Sequence, residues 1–192
     1  MPPKRKKSSF QPLILATFLT GGILGYGTGT YQQSASVFST NETAIHVRFS
    51  PRGHCTQLVE KTVAQAKERI WVQAYGFTSS PIADALIAAH QRGVEVKILV
   101  DRSQVKSKYS QLKHVMKQGI TVAVDKVPGI AHNKVMIVDD AYVLTGSFNW
   151  TKAAETRNAE NLLLIRDAKL NGVYAAEWQK RAEKALAPEL DK

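Results

Sequence analysis

The feature that most restricts this chain is an alternation, from residue 45 onwards, of short β-branched runs with stretches of helical period. Residues 45–49 alternate in polarity and end at Ser50-Pro51-Arg52-Gly53, after which a helical pattern runs from 56 to 67. Residues 69–75, rich in β-branched and aromatic side chains, predict a buried strand. Ser79 or Ser80 ahead of Pro81 opens a helix whose apolar face holds Ile82, Ala85, Leu86 and Ala89, and Gly93 closes it. The pattern continues as a strand at 94–100, a helix at 107–118 stopped by Gly119, and a strand at 120–124. Strands at 134–138 and 142–145 flank the turn Asp139-Asp140, a polar stretch follows, and a strand at 161–165 precedes a helix from 169 to 187. Strands interleaved with helices in this way predict an α/β fold, a mixed sheet with helices on both faces.

The first forty residues follow a different rule. Lys4, Arg5, Lys6 and Lys7 precede an apolar, glycine-containing run at 13–26, and residues 8–40 hold no charged side chain. That order predicts a secretory signal, with Ser34-Ala35-Ser36 supplying small residues for cleavage, or an uncleaved membrane anchor over 13–31 with a polar linker behind it. Five glycines between 21 and 29 argue against a buried soluble helix. The chain therefore divides into a leader, 1–40, and a folded body, 41–192. The basic end stays cytoplasmic, so the body is expected to be periplasmic or secreted, or held at the inner membrane. The net charge is +10, and the body keeps +6 without the leader's cations, an excess compatible with phosphate-rich partners. Cys55 is the single cysteine, which excludes an intrachain disulfide and a Cys-rich zinc site.

Chemistry concentrates between 132 and 160. His132-Asn-Lys134 opens the strand at 134–138, and side chains two apart on a strand project to the same face. An imidazole beside a fixed cation suits a phosphoester: lysine neutralises phosphate oxygens while neutral imidazole attacks phosphorus or moves a proton near neutral pH. Seven residues after Asp139 comes Gly146-Ser147-Phe148-Asn149-Trp150-Thr151, a glycine turn followed by hydroxyl and amide groups suited to phosphate oxygens. Both segments leave neighbouring strand ends and can face one pocket.

The string His132-x-Lys134-x-x-x-x-Asp139 followed by Gly146-Ser147-x-Asn149 resembles the signature of the phospholipase D superfamily. Residues 71–78, 92–98 and 146–160 extend the resemblance to that superfamily's small bacterial endonucleases, whose chains carry one such motif, and it spans about 45–187. It implies a metal-independent phosphodiesterase, without cofactor, acting through a phosphohistidine intermediate. His132 is then the nucleophile in one subunit and the leaving-group acid in the other. Lys134 and Asn149 hold the nonbridging oxygens with help from Ser147, and Glu160 is similar in position to the acidic residue that hydrogen-bonds the histidine. Asp139 counts with the catalytic motif but, at a turn, is expected to stabilise it rather than touch phosphate. One motif per chain and a two-sided displacement together predict a homodimer sharing one active site.

The substrate is expected to be nucleic acid, because Arg102, Lys106, Lys108, Lys113, Lys117 and Lys126 crowd one stretch opposed only by Asp101 and Asp125, and a basic rim tracks a backbone without reading bases. Phospholipid head groups are the alternative, above all for a chain tethered to a membrane, and a non-catalytic nucleic-acid-binding module of a transfer apparatus is the third. Taken singly, His46, His54, His90 and His114 read as structural histidines, and Cys55 as a small buried side chain.

Overall fold

The computed structural model describes residues 35–39 and 43–189. The leader's basic cluster and apolar run lie outside those residues. Part of the expected polar linker does not: Ala35–Ser39 forms an edge strand, β1, antiparallel to β2 (Ala44–Ser50).

After β2 come α1 (Cys55–Gln65), β3 (Arg69–Ala74), α2 (Ser80–Gln91) and β4 (Glu95–Val100). Two short helices, α3 (Ser103–Lys106) and α4 (Leu112–Lys117), lead to β5 (Thr121–Val124). The hairpin of β6 (Lys134–Val138) and β7 (Tyr142–Gly146), the short α5 (Lys152–Thr156), β8 (Glu160–Arg166) and α6 (Ala168–Ala182) complete the body. The eight strands form one mixed sheet in the order β1-β2-β8-β7-β6-β3-β4-β5. β3, β4 and β5 are parallel, joined by helical crossovers, and every other pairing is antiparallel.

Strand alternation assigns each face its layer. Ile70, Val72, Ala74, Met136 and Val138 pack with α1, α2 and α4 in the larger core, while Trp71, Val135, Ile137 and Val143 face Ala175 and Trp178 of α6. Trp71 and Trp178 stack with centroids 4.8 Å apart, and Trp178 Nε1 donates to Val72 O at 3.1 Å, which locks α6 across the sheet.

Three expected elements differ in extent. The helix placed at 107–118 is confined to α4, because the Gln111 amide ahead of it donates to Phe77 O at 2.9 Å, and the single-turn α3 at Ser103–Lys106 precedes the expected range. The last helix ends at Ala182, and Leu186 instead bridges Val124. The polar stretch before β8 contains α5, capped by Thr151, whose Oγ1 accepts from Ala154 N at 3.1 Å. Glu155 of α5 in turn accepts from the His54 and Thr56 amides at 3.0 and 2.7 Å and so caps α1.

Candidate active site

Strand direction gathers the predicted residues at one edge. The carboxyl ends of β3 and β4 lie there, so the amino end of antiparallel β6, the carboxyl end of β7 and the amino end of β8 lie there too. β3 is the strand at which pairing changes from parallel to antiparallel, the kind of position where open α/β sheets collect ligands. His132, Lys134, Ser147, Asn149 and Glu160 all belong to this edge.

The backbone on either side of His132 is pinned while its imidazole stays exposed. Ala131 N donates to Asp101 Oδ2 at 2.8 Å, and Asn133 O accepts from Tyr75 N at 3.1 Å. Asn133 Nδ2 also reaches Gln73 Oε1 at 2.9 Å. Asp101, itself buried, sits at the end of β4; burial acts to raise its carboxyl, but hydrogen bonds from Ser103 and Ala131 and the nearby Arg102 hold it below the ordinary range. The anchor of the histidine loop is therefore a carboxylate at any neutral pH.

Lys134 is buried to 6% exposure, rare for an unpaired lysine. Its Nζ donates to His132 O at 2.6 Å and lies 4.9 Å from the centre of the Tyr75 ring. Burial pushes the ammonium below the usual lysine range, and the charge of Glu160 opposes that shift. Tyr75 also packs against His132, ring centroids 4.3 Å apart. One aromatic side chain thus fixes both members of the histidine-lysine pair. The sequence pattern places Tyr75 at the end of a buried strand; only the register that sets it beside Asn133 identifies it as part of the site.

The turn after β7 is held by buried aromatics. Phe148 and Trp150 are fully buried, Trp150 Nε1 donates to Gln73 O at 3.1 Å, and Trp150 O accepts from the Thr78 and Ser79 amides, each at 3.0 Å. Trp150 is thus a structural anchor. Burial of such side chains contributes roughly 1.5–3 kcal/mol each, enough to set a loop rigidly. Gly146 has φ 149°, and a Cβ there would meet Asn161 O at 2.4 Å, so only glycine fits. A Cβ on Gly76 would approach Asn149 Oδ1 to 3.2 Å. Asn149 Oδ1 is buried with no hydrogen-bond partner, and exposed Ser147 accepts from Asn161 N at 3.0 Å.

Glu160 lies on the same sheet face as Lys134. Its Oε1 accepts from Asn158 Nδ2 at 3.0 Å. The expected bond to His132 is therefore absent among the described residues, and Glu160 reaches the pair through its charge on Lys134.

Asp139 is separated from all of these. It follows the far end of β6, about 20 Å along the strand from His132 at ~3.3 Å per residue. Its Oδ1 accepts from the Lys67, Glu68 and Arg69 amides at 3.2, 2.9 and 3.1 Å, and Oδ2 from Lys67 N at 3.1 Å. With φ 51° it holds the tight turn into β7. From this turn it clamps the start of β3, at the opposite end of β6 from His132.

A family model described as "Cardiolipin synthase, PLD-like domain" matches residues 59–182. The phospholipase D of Rickettsia bellii is 41% identical over 196 residues, covering 93% of this chain and 97% of that protein. The mitochondrial cardiolipin hydrolase of Xenopus laevis is 31% identical over 154 residues, covering 74% of this chain and 73% of that one. Among solved structures, the phospholipase D family member Nuc from Salmonella typhimurium superimposes with TM-score 0.71 at 39% identity, covering 75% of this chain and 97% of Nuc. NucT from Helicobacter pylori gives TM-score 0.71 at 26% identity over 76% of this chain and 99% of its own. The chain belongs to the phospholipase D superfamily, in its single-motif branch. It is a hydrolase of the phosphodiesterase type.

Proposed function

We propose that this phosphodiesterase is a nuclease that cleaves the nucleic-acid backbone through a phosphohistidine on His132, in a homodimer whose two chains share one active site. The observation that carries the reading is the convergence of a pinned, exposed imidazole and a buried ammonium at one sheet edge. An imidazole nitrogen of His132 attacks phosphorus in line, the P–O bond to the leaving oxygen breaks, and that oxygen takes a proton from the partner's His132. Water then attacks the phosphorus–nitrogen bond, giving its proton to the partner's His132 and returning the first imidazole free. Lys134 neutralises the nonbridging oxygens through donors not used on His132 O, and the amide of Asn149 and hydroxyl of Ser147 hold them in place. Glu160 exchanges Asn158 for the imidazole and orients it. Imidazole and ammonium thus supply the nucleophile and charge neutralisation that a divalent ion supplies elsewhere.

Purified chain in excess chelator, offered DNA, RNA and vesicles of phosphatidylglycerol and cardiolipin, is expected to cut nucleic acid. Mixing wild type with His132→Ala chains is expected to give heterodimers with little turnover; a fully active monomer overturns the shared site. The second reading, action on phospholipid, is favoured by relatives such as the Rickettsia phospholipase D and the Xenopus cardiolipin hydrolase. Product from vesicles alone would establish it in place of the first. We also propose that the basic leader stays cytoplasmic and the body works across the membrane; a body found only in the cytoplasmic fraction refutes this.

A further inference from the structure

We infer that the segment from Arg102 to Lys117 forms a second phosphate-binding subsite for a polynucleotide, with Tyr109 as a platform for one base; this rests on the nuclease reading of the catalytic edge. A surface depression of about 320 Å³, at the small end of ligand-site volumes, is lined by Lys106, Lys108 and Lys113 together with Ser107, Ser110 and Gln104. All three lysines are exposed, and no acidic residue occurs between 102 and 124. Asp84 on neighbouring α2 is engaged by His114 Nε2 at 2.9 Å, and Asp101 is buried on the Ser103 and Ala131 amides. The depression is thus a concave cluster of cations and hydroxyls, the donor set that phosphate oxygens take.

Two tethers fix it to the catalytic edge. Gln104 Oε1 accepts from Phe77 N at 3.0 Å, and Gln111 N donates to Phe77 O at 2.9 Å. Phe77 is fully buried and bridges Trp150 of the catalytic turn. α3 follows β4, which lies two strands, about 10 Å across the sheet at ~4.8 Å per strand, from β6. A phosphate there is not the one being cleaved; it is a neighbour on the same chain. Tyr109 is 68% exposed, with Lys108 Nζ 4.9 Å from its ring centre. The ammonium covers one face of the ring, and a flat base fits the other. A two-phosphate lipid has no such planar group, which favours the polynucleotide. Lys126 does not join this cluster; it lies in a separate depression with Lys180 and Lys184.

The test compares kcat/KM on a single-stranded oligonucleotide with kcat/KM on a dinucleotide, whose lone phosphate occupies only the catalytic edge and so corrects for folded fraction. The ratio is expected to fall about tenfold in Tyr109→Leu, the lower range for losing one stacked base, and to be retained in Tyr109→Phe. Replacing Lys106, Lys108 and Lys113 by Ala is expected to lower the slope of log KM against log salt by about 2, with arginine at the three positions restoring it. Unchanged ratio and slope, with wild type still cutting the oligonucleotide, overturn the subsite and leave the nuclease reading standing. Wild type that spares the oligonucleotide but releases product from cardiolipin vesicles overturns both.

Discussion

At the Asp139 end of β6 the carboxylate answers three consecutive backbone amides, and Asn171 Nδ2 closes the Asp139 and Tyr142 carbonyls at 3.3 and 3.0 Å. The one orphan there, Arg69 Nε, belongs to a guanidinium already held by Asp140 and lying over Trp71. At the His132 end the polar groups are left over instead. Lys134 spends one donor on His132 O, and Asn149 Oδ1 and Gln73 Nε2 are buried with no partner at all. Each such orphan costs about 1–3 kcal/mol. β6 therefore has one end whose polar neighbours are satisfied and another beside which buried polar groups stay unpaired, which is why neighbouring members of one sequence motif have different work.

The two ends of β6 differ most at His132. His132→Asn is expected to lower turnover roughly 10⁴-fold or more, because nucleophile and acid are lost together, with the thermal midpoint unchanged. A variant with near-normal turnover would dissolve the distinction between the two ends.

Asp139→Ala should do the reverse. Three amides lose their acceptor and a non-glycine residue remains at positive φ, so stability is expected to fall by about 2–4 kcal/mol, measured by denaturant titration, while turnover per folded chain is kept. Turnover lost in proportion to His132→Asn would return Asp139 to the active site.

The sequence revealed the structural half of this contrast less well than the chemical half. His132, Lys134, Ser147, Asn149 and Glu160 were legible because their types and spacing carry chemistry on strands that alternate clearly. Tyr75 was not, since an aromatic at a strand end looks the same whether it fills a core or braces a histidine. Gln73, Asp101 and Trp150 act through long-range hydrogen bonds that no local pattern encodes. The late start of α4 was hidden for the same reason, as it follows from Gln111 bonding to Phe77. β1 escaped notice because Ala35–Ser39 lacks the β-branched pattern of the other strands and gains its order by pairing with β2.

pH has a smaller effect at the His132 end. Burial first, opposed by Glu160, sets the Lys134 ammonium below its free value of 10.5, so phosphate binding is expected to weaken on the alkaline side before a free lysine would titrate. Between the folded and unfolded values the unfolded chain binds more protons, so the Lys134 contribution to stability rises with pH while activity falls. Lys134→Arg should carry the alkaline limb of log kcat/KM upward; a limb that stays put assigns it to another group.

The smallest expected effect is at Cys55, fully buried, where burial and then Glu155 push the thiol up to about 12. Iodoacetamide near neutral pH should leave it unmodified in the native protein and alkylate it on unfolding. Rapid native labelling would show that α1 opens beside the catalytic edge.

Turnover by the proposed route requires a bond between His132 and phosphorus. Wild-type chain mixed with a phosphodiester substrate, quenched in base during turnover and digested for mass spectrometry, is predicted to carry a phosphoryl adduct on His132, absent from His132→Asn and present in Asp139→Ala. An actively turning-over enzyme with no adduct, or with the adduct on another residue, would contradict the account.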